Sequence, residues 1–158
     1  MKNKKRFFLL LLFFIFLFTV PAFATFDISI DMTHINFGAL NPGEITGDIP
    51  PQGLNVTCTS DQGNQWFLRV YTEGPLAHID NPGMDIPDTE FYWYGINTTG
   101  QGDLVTEEED FTSEKIIYTS TATEGADGVT ISVKFKLECP GYIQSGEYDT
   151  SIIFTLTE

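Results

Sequence analysis

The sequence predicts an antiparallel two-sheet β-sandwich of seven or eight strands, and three observations predict it. Apolar and polar residues alternate with period two in residues 26–32, 54–58, 66–70 and 129–139, the pattern of half-buried strands. Clusters of Pro, Gly, Asn and Asp separate these runs, as turns require. No stretch of ten or more residues after position 24 repeats with the period of a helix, so an all-β class follows.

The N-terminus is read first. Lys2, Lys4, Lys5 and Arg6 precede fourteen uncharged, mostly apolar residues (7–20), and Pro21 with Ala22-Phe23-Ala24 follows. A basic start, an apolar centre and an A-x-A site make a secretory signal peptide over residues 1–24. Fourteen residues fall short of the about 20 that a bilayer-spanning helix needs. The expected product is one exported domain, residues 25–158, secreted, periplasmic or at the cell surface, with no membrane span after cleavage. Its 134 residues suit a single core.

Within that domain Phe26, Ile28, Ile30 and Met32 alternate with Asp27, Ser29, Asp31 and Thr33, so a first strand has one apolar face. Residues 35–40 form a short extended piece closed by Asn41-Pro42-Gly43, where Pro presets φ and Gly accepts φ > 0. Pro50-Pro51-Gln52-Gly53 interrupts the chain. Residues 54–70 then read as a hairpin. Leu54, Val56 and Cys58 alternate with polar residues in the first strand, Trp66, Leu68 and Val70 alternate with their neighbours in the second, and Ser60-Asp61-Gln62-Gly63-Asn64 joins them. An isolated hairpin is marginal in water, so both strands need a second layer.

Residues 73–89 hold Gly74, Pro75, Pro82, Gly83 and Pro87 and read as an irregular surface loop. Residues 90–96 read as a strand, because the consecutive aromatics Phe91, Tyr92, Trp93 and Tyr94 suit a pleated surface. The polar stretch 97–110 ends in Glu107-Glu108-Glu109-Asp110 and reads as a solvated loop. Residues 115–121 are a strand, and Glu124-Gly125-Ala126-Asp127-Gly128 is the turn after it. The strongest strand is 129–139, with Val129, Ile131, Val133, Phe135, Leu137 and Cys139 on one parity. Pro140-Gly141 stops it and Gln144-Ser145-Gly146 turns the chain into the last strand, 147–157, where Tyr148, Ile152, Phe154 and Leu156 share a face.

Cys58 and Cys139 are the two cysteines, both on inward parities. In an exported chain the default is one disulfide, Cys58–Cys139 if it is intramolecular. It closes a loop of about 80 residues, for which the chain-entropy model gives roughly 4–5 kcal/mol.

After the leader, four bases (Arg69, Lys115, Lys134 and Lys136) face 22 acids, a net charge of −18. That field repels nucleic acid and anionic lipid and serves solubility outside the cytoplasm. His34 and His78 are the two histidines, neither in a zinc-binding or catalytic-triad context. The sequence therefore predicts no enzyme, no catalytic residue, no cofactor and no metal. Asp80, Asn81, Asp85 and Asp88 lack EF-hand spacing, as does the run at 107–110, and both read as solvated loops.

Two binding surfaces remain. Tyr92, Trp93 and Tyr94 form a candidate glycan platform, since aromatic faces suit sugar rings. Phe26, Ile28, Ile30 and Met32 form a candidate strand-addition segment, in which main-chain hydrogen bonds supply affinity and alternate side chains set register in a neighbour's groove. The competing expectation is that this strand pairs within its own domain.

Several short motifs carry a resemblance. Ile35-Asn36-Phe37-Gly38 with Asn41-Pro42-Gly43, then Val56-Thr57-Cys58, then the Gly146-Glu147-Tyr148 entry to the last strand are similar to spore coat U and related fimbrial subunits. Trp66-Phe67-Leu68 and the closing Phe154-Thr155-Leu156 resemble the WxL cell-surface domain. Two features depart from those patterns. No cysteine lies between Thr25 and Val56, whereas spore coat U and many chaperone-usher pilins pair two cysteines early in the chain, and Phe154 stands where a second W-x-L has Trp. The resemblance implies a bacterial, secreted, immunoglobulin-like and non-catalytic protein. Its expected role is that of a structural or fimbria-like surface subunit acting through protein partners or self-assembly. The alternative is a glycan- or cell-wall-binding module.

Overall fold

The computed structural model describes residues 25–158; the leader read at residues 1–24 lies outside them. Twelve strands follow in order: β1 (Phe26–Ile30), β2 (Ile49–Ser60), β3 (Phe67–Thr72), β4 (Leu76–His78), β5 (Asn81–Ile86), β6 (Phe91–Thr98), β7 (Asp103–Leu104), β8 (Glu109–Asp110), β9 (Lys115–Thr119), β10 (Val129–Leu137), β11 (Tyr148–Asp149) and β12 (Ile152–Thr157). One 3-10 turn, Asp88–Glu90, precedes β6. All pairings are antiparallel. The strands form a five-stranded sheet β1-β2-β10-β6-β8, a four-stranded sheet β12-β3-β9-β7 and a three-stranded sheet β11-β4-β5. The all-β sandwich class is what the alternation predicts.

β10 lies in the middle of the largest sheet because its alternation is the most complete. Val129, Ile131, Val133, Phe135 and Leu137 are buried, while Thr130, Ser132, Lys134 and Lys136 are half-buried on the other face. It pairs with β2 on one side and β6 on the other. The second sheet sends Trp66, Leu68, Val70, Ile117 and Tyr118 into the same core. Each large apolar side chain so buried contributes roughly 1.5–3 kcal/mol before the entropy of ordering is set against it.

The punctuation read from the sequence is borne out at two turns. Glu44 N–H donates to Asn41 O at 3.1 Å, with Gly43 at φ 73°, and Gly128 N–H donates to Gly125 O at 3.0 Å.

Several of these expectations are corrected. Residues 54–70 are not a hairpin: β2 belongs to the five-stranded sheet and β3 to the four-stranded one. Period-two alternation fixes which face of a strand is apolar, and both strands do face the core, but it does not say which sheet supplies the pairing. Pro50-Pro51-Gln52-Gly53 lies within β2, but none of the four residues pairs with β10, whose partners step from Leu54 to Ile49, so the interruption read there breaks the ladder and not the strand. The β2–β10 register shifts between Val133 and Phe135, and a bulge is where a strand tolerates proline.

Residues 73–89 are not irregular. They hold β4 and β5, with Leu76, His78 and Ile86 buried. Pro82 is accommodated because β5 is the edge of its sheet, where a missing N–H costs no ladder bond. Two further short strands, β7 and β8, lie within the polar stretch 97–110.

The disulfide expectation is corrected as well. Cys58 and Cys139 are both buried and unbonded. Cys58 stands opposite Val129 at the start of β10, and Cys139 follows the end of β10 ten residues later, a separation of about 33 Å at roughly 3.3 Å per residue. A disulfide needs Cα atoms within about 7 Å. Both cysteines face inward as their parity requires, but parity says nothing about height along the strand.

Candidate functional site

Two sheet edges border one side of the sandwich, β1 of the five-stranded sheet and β12 of the four-stranded sheet. β1 is tied down within its own domain. It pairs with β2 from Phe26↔Ser60 to Ile30↔Val56. Thr25 N–H donates to Asp61 Oδ1 at 2.6 Å, and Asn55 donates to the Asp31 carboxylate from its backbone N–H at 3.0 Å and from Nδ2 at 2.7 Å. The candidate strand-addition residues Phe26, Ile28, Ile30 and Met32 are therefore placed along their own sandwich, with Phe26, Ile28 and Met32 packed against its core.

Beyond β1 the chain leaves the sheet. Residues 32–39 run to Leu40, which exchanges hydrogen bonds with Gly146 (N–H to O 2.8 Å, and O from N–H 3.0 Å). Among the described residues, 32–39 make no backbone–backbone hydrogen bond. What holds them is apolar contact, with Met32, Ile35 and Phe37 against the core and the Phe37 ring edge-on to Phe91 at 5.8 Å.

Residues 147–154 lie opposite, and between the two segments runs a groove of about 530 Å³. Leu54, Leu76 and Phe91 line it from the buried core. Ile30, Ile35 and Phe37 line one side, and Ile152 and Phe154 the other. Its polar rim includes Glu147, Asp149, Thr150 and Ser151. Tyr148 is fixed in the wall by its hydroxyl, which donates to Gln144 O at 2.7 Å, and by an edge-on contact with His78 at 5.0 Å. Burial pushes the Tyr148 phenol up from its ordinary range.

β12 is an edge without the usual protection. Natural edge strands are blunted by charges, proline or bulges, because unpaired N–H and C=O groups template another strand. Ile-Ile-Phe-Thr-Leu-Thr has no charge and no proline, and its register with β3 is unbroken over all six residues. All six are half-buried, with Ile152, Phe154 and Leu156 packed against the core. β1, by contrast, carries Asp27.

The groove lining contains no lysine or arginine. Each base of the described residues is held by a carboxylate elsewhere: Arg69 by Glu114 at 3.8 Å, Lys115 by Glu109 at 3.1 Å, Lys134 by Asp48 at 3.8 Å, and Lys136 by Glu108 at 3.1 Å and Glu138 at 3.0 Å. His34 lines the groove, and His78 is buried with Nδ1 accepting from Asp80 N–H at 3.0 Å. No group of three or more His, Cys, Asp or Glu side chains is gathered as a metal site among the described residues.

The aromatic platform comes apart. Trp93 is 0% exposed, so Tyr92 and Tyr94 alone face outward from β6. Lys136 Nζ sits 5.5 Å from the Tyr92 ring centre. Burial, followed by a hydrogen bond to Asp48, pushes the Tyr94 phenol up to about 12. The sequence reading missed the free edge of β12. The uncharged run 150–157 marks a strand without protecting charges, but not that its outer side is unpaired.

No family model, curated protein or solved structure matches the chain. Fold and groove define its class on their own terms: an antiparallel β-sandwich with one uncharged edge strand, unpaired on its outer side, beside an apolar groove. No helix of the described residues is long and apolar enough to cross a membrane.

Proposed function

We propose that this chain is a non-catalytic, exported structural subunit of the fimbria-like kind that joins its partner at the cell surface by β-strand addition. The observation that carries this reading is the unpaired outer side of β12 beside the groove, facing residues whose own backbone is unpaired. An added strand gains main-chain hydrogen bonds from the edge and sockets for alternate side chains from the groove. Because β1 is clamped at both ends, the domain acts as acceptor, and the strand comes from its partner. The glycan-binding alternative loses its central residue with Trp93 in the core.

Thr155→Lys tests the reading. Thr155 is half-exposed and already reaches Glu114 Oε1 at 3.3 Å, so a lysine there meets a carboxylate and leaves the fold intact while charging the edge. Wild-type protein recovered from the cell exterior is expected in high-mass assemblies, and the variant as a monomer with an unchanged melting temperature. Equal assembly of both rejects strand addition at β12.

A further inference from the structure

We infer that the strand received by the groove is a basic segment of a different protein, apolar at alternate positions with Lys or Arg between them, and not a second copy of this chain. The inference rests on the strand-addition reading and names its partner. Glu147 and Asp149 line the groove, and no lysine or arginine does. Among the described residues no lysine or arginine is spare to meet those carboxylates. Its described residues carry 22 acids against four bases, and all four bases are already engaged in ion pairs.

A second copy fits poorly whichever strand it offers. Its own alternating segment, residues 26–32, carries Asp27 and Asp31 between the apolar positions, so docking it would set carboxylates toward carboxylates. An antiparallel pairing of two β12 edges would bring Glu158 of one copy toward residues 147–149 of the other. Either way two bodies of net charge −18 approach each other, and like charges in register are destabilising. A basic strand reverses every one of these signs, and the acidic field draws it in from a distance.

The test uses labelled seven-residue peptides and the purified protein. One peptide has isoleucines at alternate positions with lysines between them, a second has glutamates in place of the lysines, a third scrambles the first, and a fourth copies residues 26–32. Binding is read by fluorescence anisotropy, and docking at the edge by amide hydrogen exchange over β12. The basic alternating peptide is expected to bind tightest and to protect β12 amides. Glu147→Gln with Asp149→Asn is expected to weaken it about two- to thirty-fold, the range for two exposed ion pairs. Raising the salt toward 1 M is expected to shrink that difference, since screening then acts within about 3 Å.

If the 26–32 peptide or the acidic peptide binds and protects β12 as well as the basic one, the partner assignment falls and strand addition stands. If the scrambled peptide binds equally, if binding leaves β12 exchange unchanged, or if no peptide binds, both fall together.

Discussion

Tyr118 Oη donates a 2.6 Å hydrogen bond to Glu124 Oε1, and this pair knots together three turns at one end of the sandwich. The same hydroxyl accepts from Gly102 N–H at 2.7 Å. The carboxylate also accepts from Gln101 N–H at 2.6 Å and Thr121 N–H at 2.9 Å. Tyr118 is fully buried beside Trp66, their ring centres 5.4 Å apart. A Cβ on Gly102 would run into Thr119 O and the Tyr118 hydroxyl, so only glycine fits there.

Tyr118→Phe removes the hydroxyl and leaves the Gly102 N–H without that partner and Glu124 short of a donor. The expected cost is about 1–3 kcal/mol, read from urea or thermal unfolding. A change below about 0.3 kcal/mol would show that water replaces the hydroxyl without loss.

Stability is expected to fall at both ends of the pH scale. Burial by itself would raise the Glu124 carboxyl, but hydrogen bonds from Tyr118, Gln101, Thr121 and Gly102 outweigh it and hold the group below its ordinary value. A carboxyl depressed in the folded state contributes stability above its unfolded pKa, and that share disappears as the pH drops below the usual glutamate range. Burial first, and the bond to Glu124 second, push the Tyr118 phenol up to about 12. A phenol raised in this way contributes stability that is fully present below about 10 and is lost as the pH climbs through about 12. Unfolding free energy measured against pH checks both limbs, and Glu124→Gln should flatten the acid one.

Both cysteines are expected to be free thiols. Burial pushes the Cys58 thiol up to about 12 and raises that of Cys139, so neither should react with a thiol reagent until the protein is unfolded. Two equivalents should then titrate. A reducing agent should leave the melting temperature unchanged, and a drop would reveal a covalent link between positions this fold keeps apart.

Trp93→Ala is expected to cost about 3–5 kcal/mol, as for other large core aromatics. Tyr92→Ala and Tyr94→Ala, on the outward face of the same strand, should cost far less. Retained binding of wall polysaccharide by a folded Trp93→Ala protein, lost in the tyrosine variants, would revive the glycan reading.

The legible parts of this fold were those written in side-chain parity. Val129 to Leu137 alternates without a fault and becomes the central strand, and Phe91 and Trp93 go inward while Tyr92 and Tyr94 go outward. Illegible from one sequence were choices that parity does not encode. The partner sheet of β3 depends on the path of the whole chain. The depth of Cys58 relative to Cys139 depends on register. Pro82 and Gly83 look like breakers until β5 proves to be an edge, and β4 is too short to show a period. As for the site, its groove-lining residues Ile30, Met32 and Ile152 were visible as apolar positions, but an unpaired edge is a property of the assembled sheets.

β10 has a further consequence through its place in the chain. It is the strand that joins β2 to β6, and it begins only at Val129. A chain made from its N-terminus therefore holds β2 and β6 with no strand between them until most of it has been synthesised. Their greasy sides wait uncovered for that time, so synthesis and completion of this sheet cannot proceed in step.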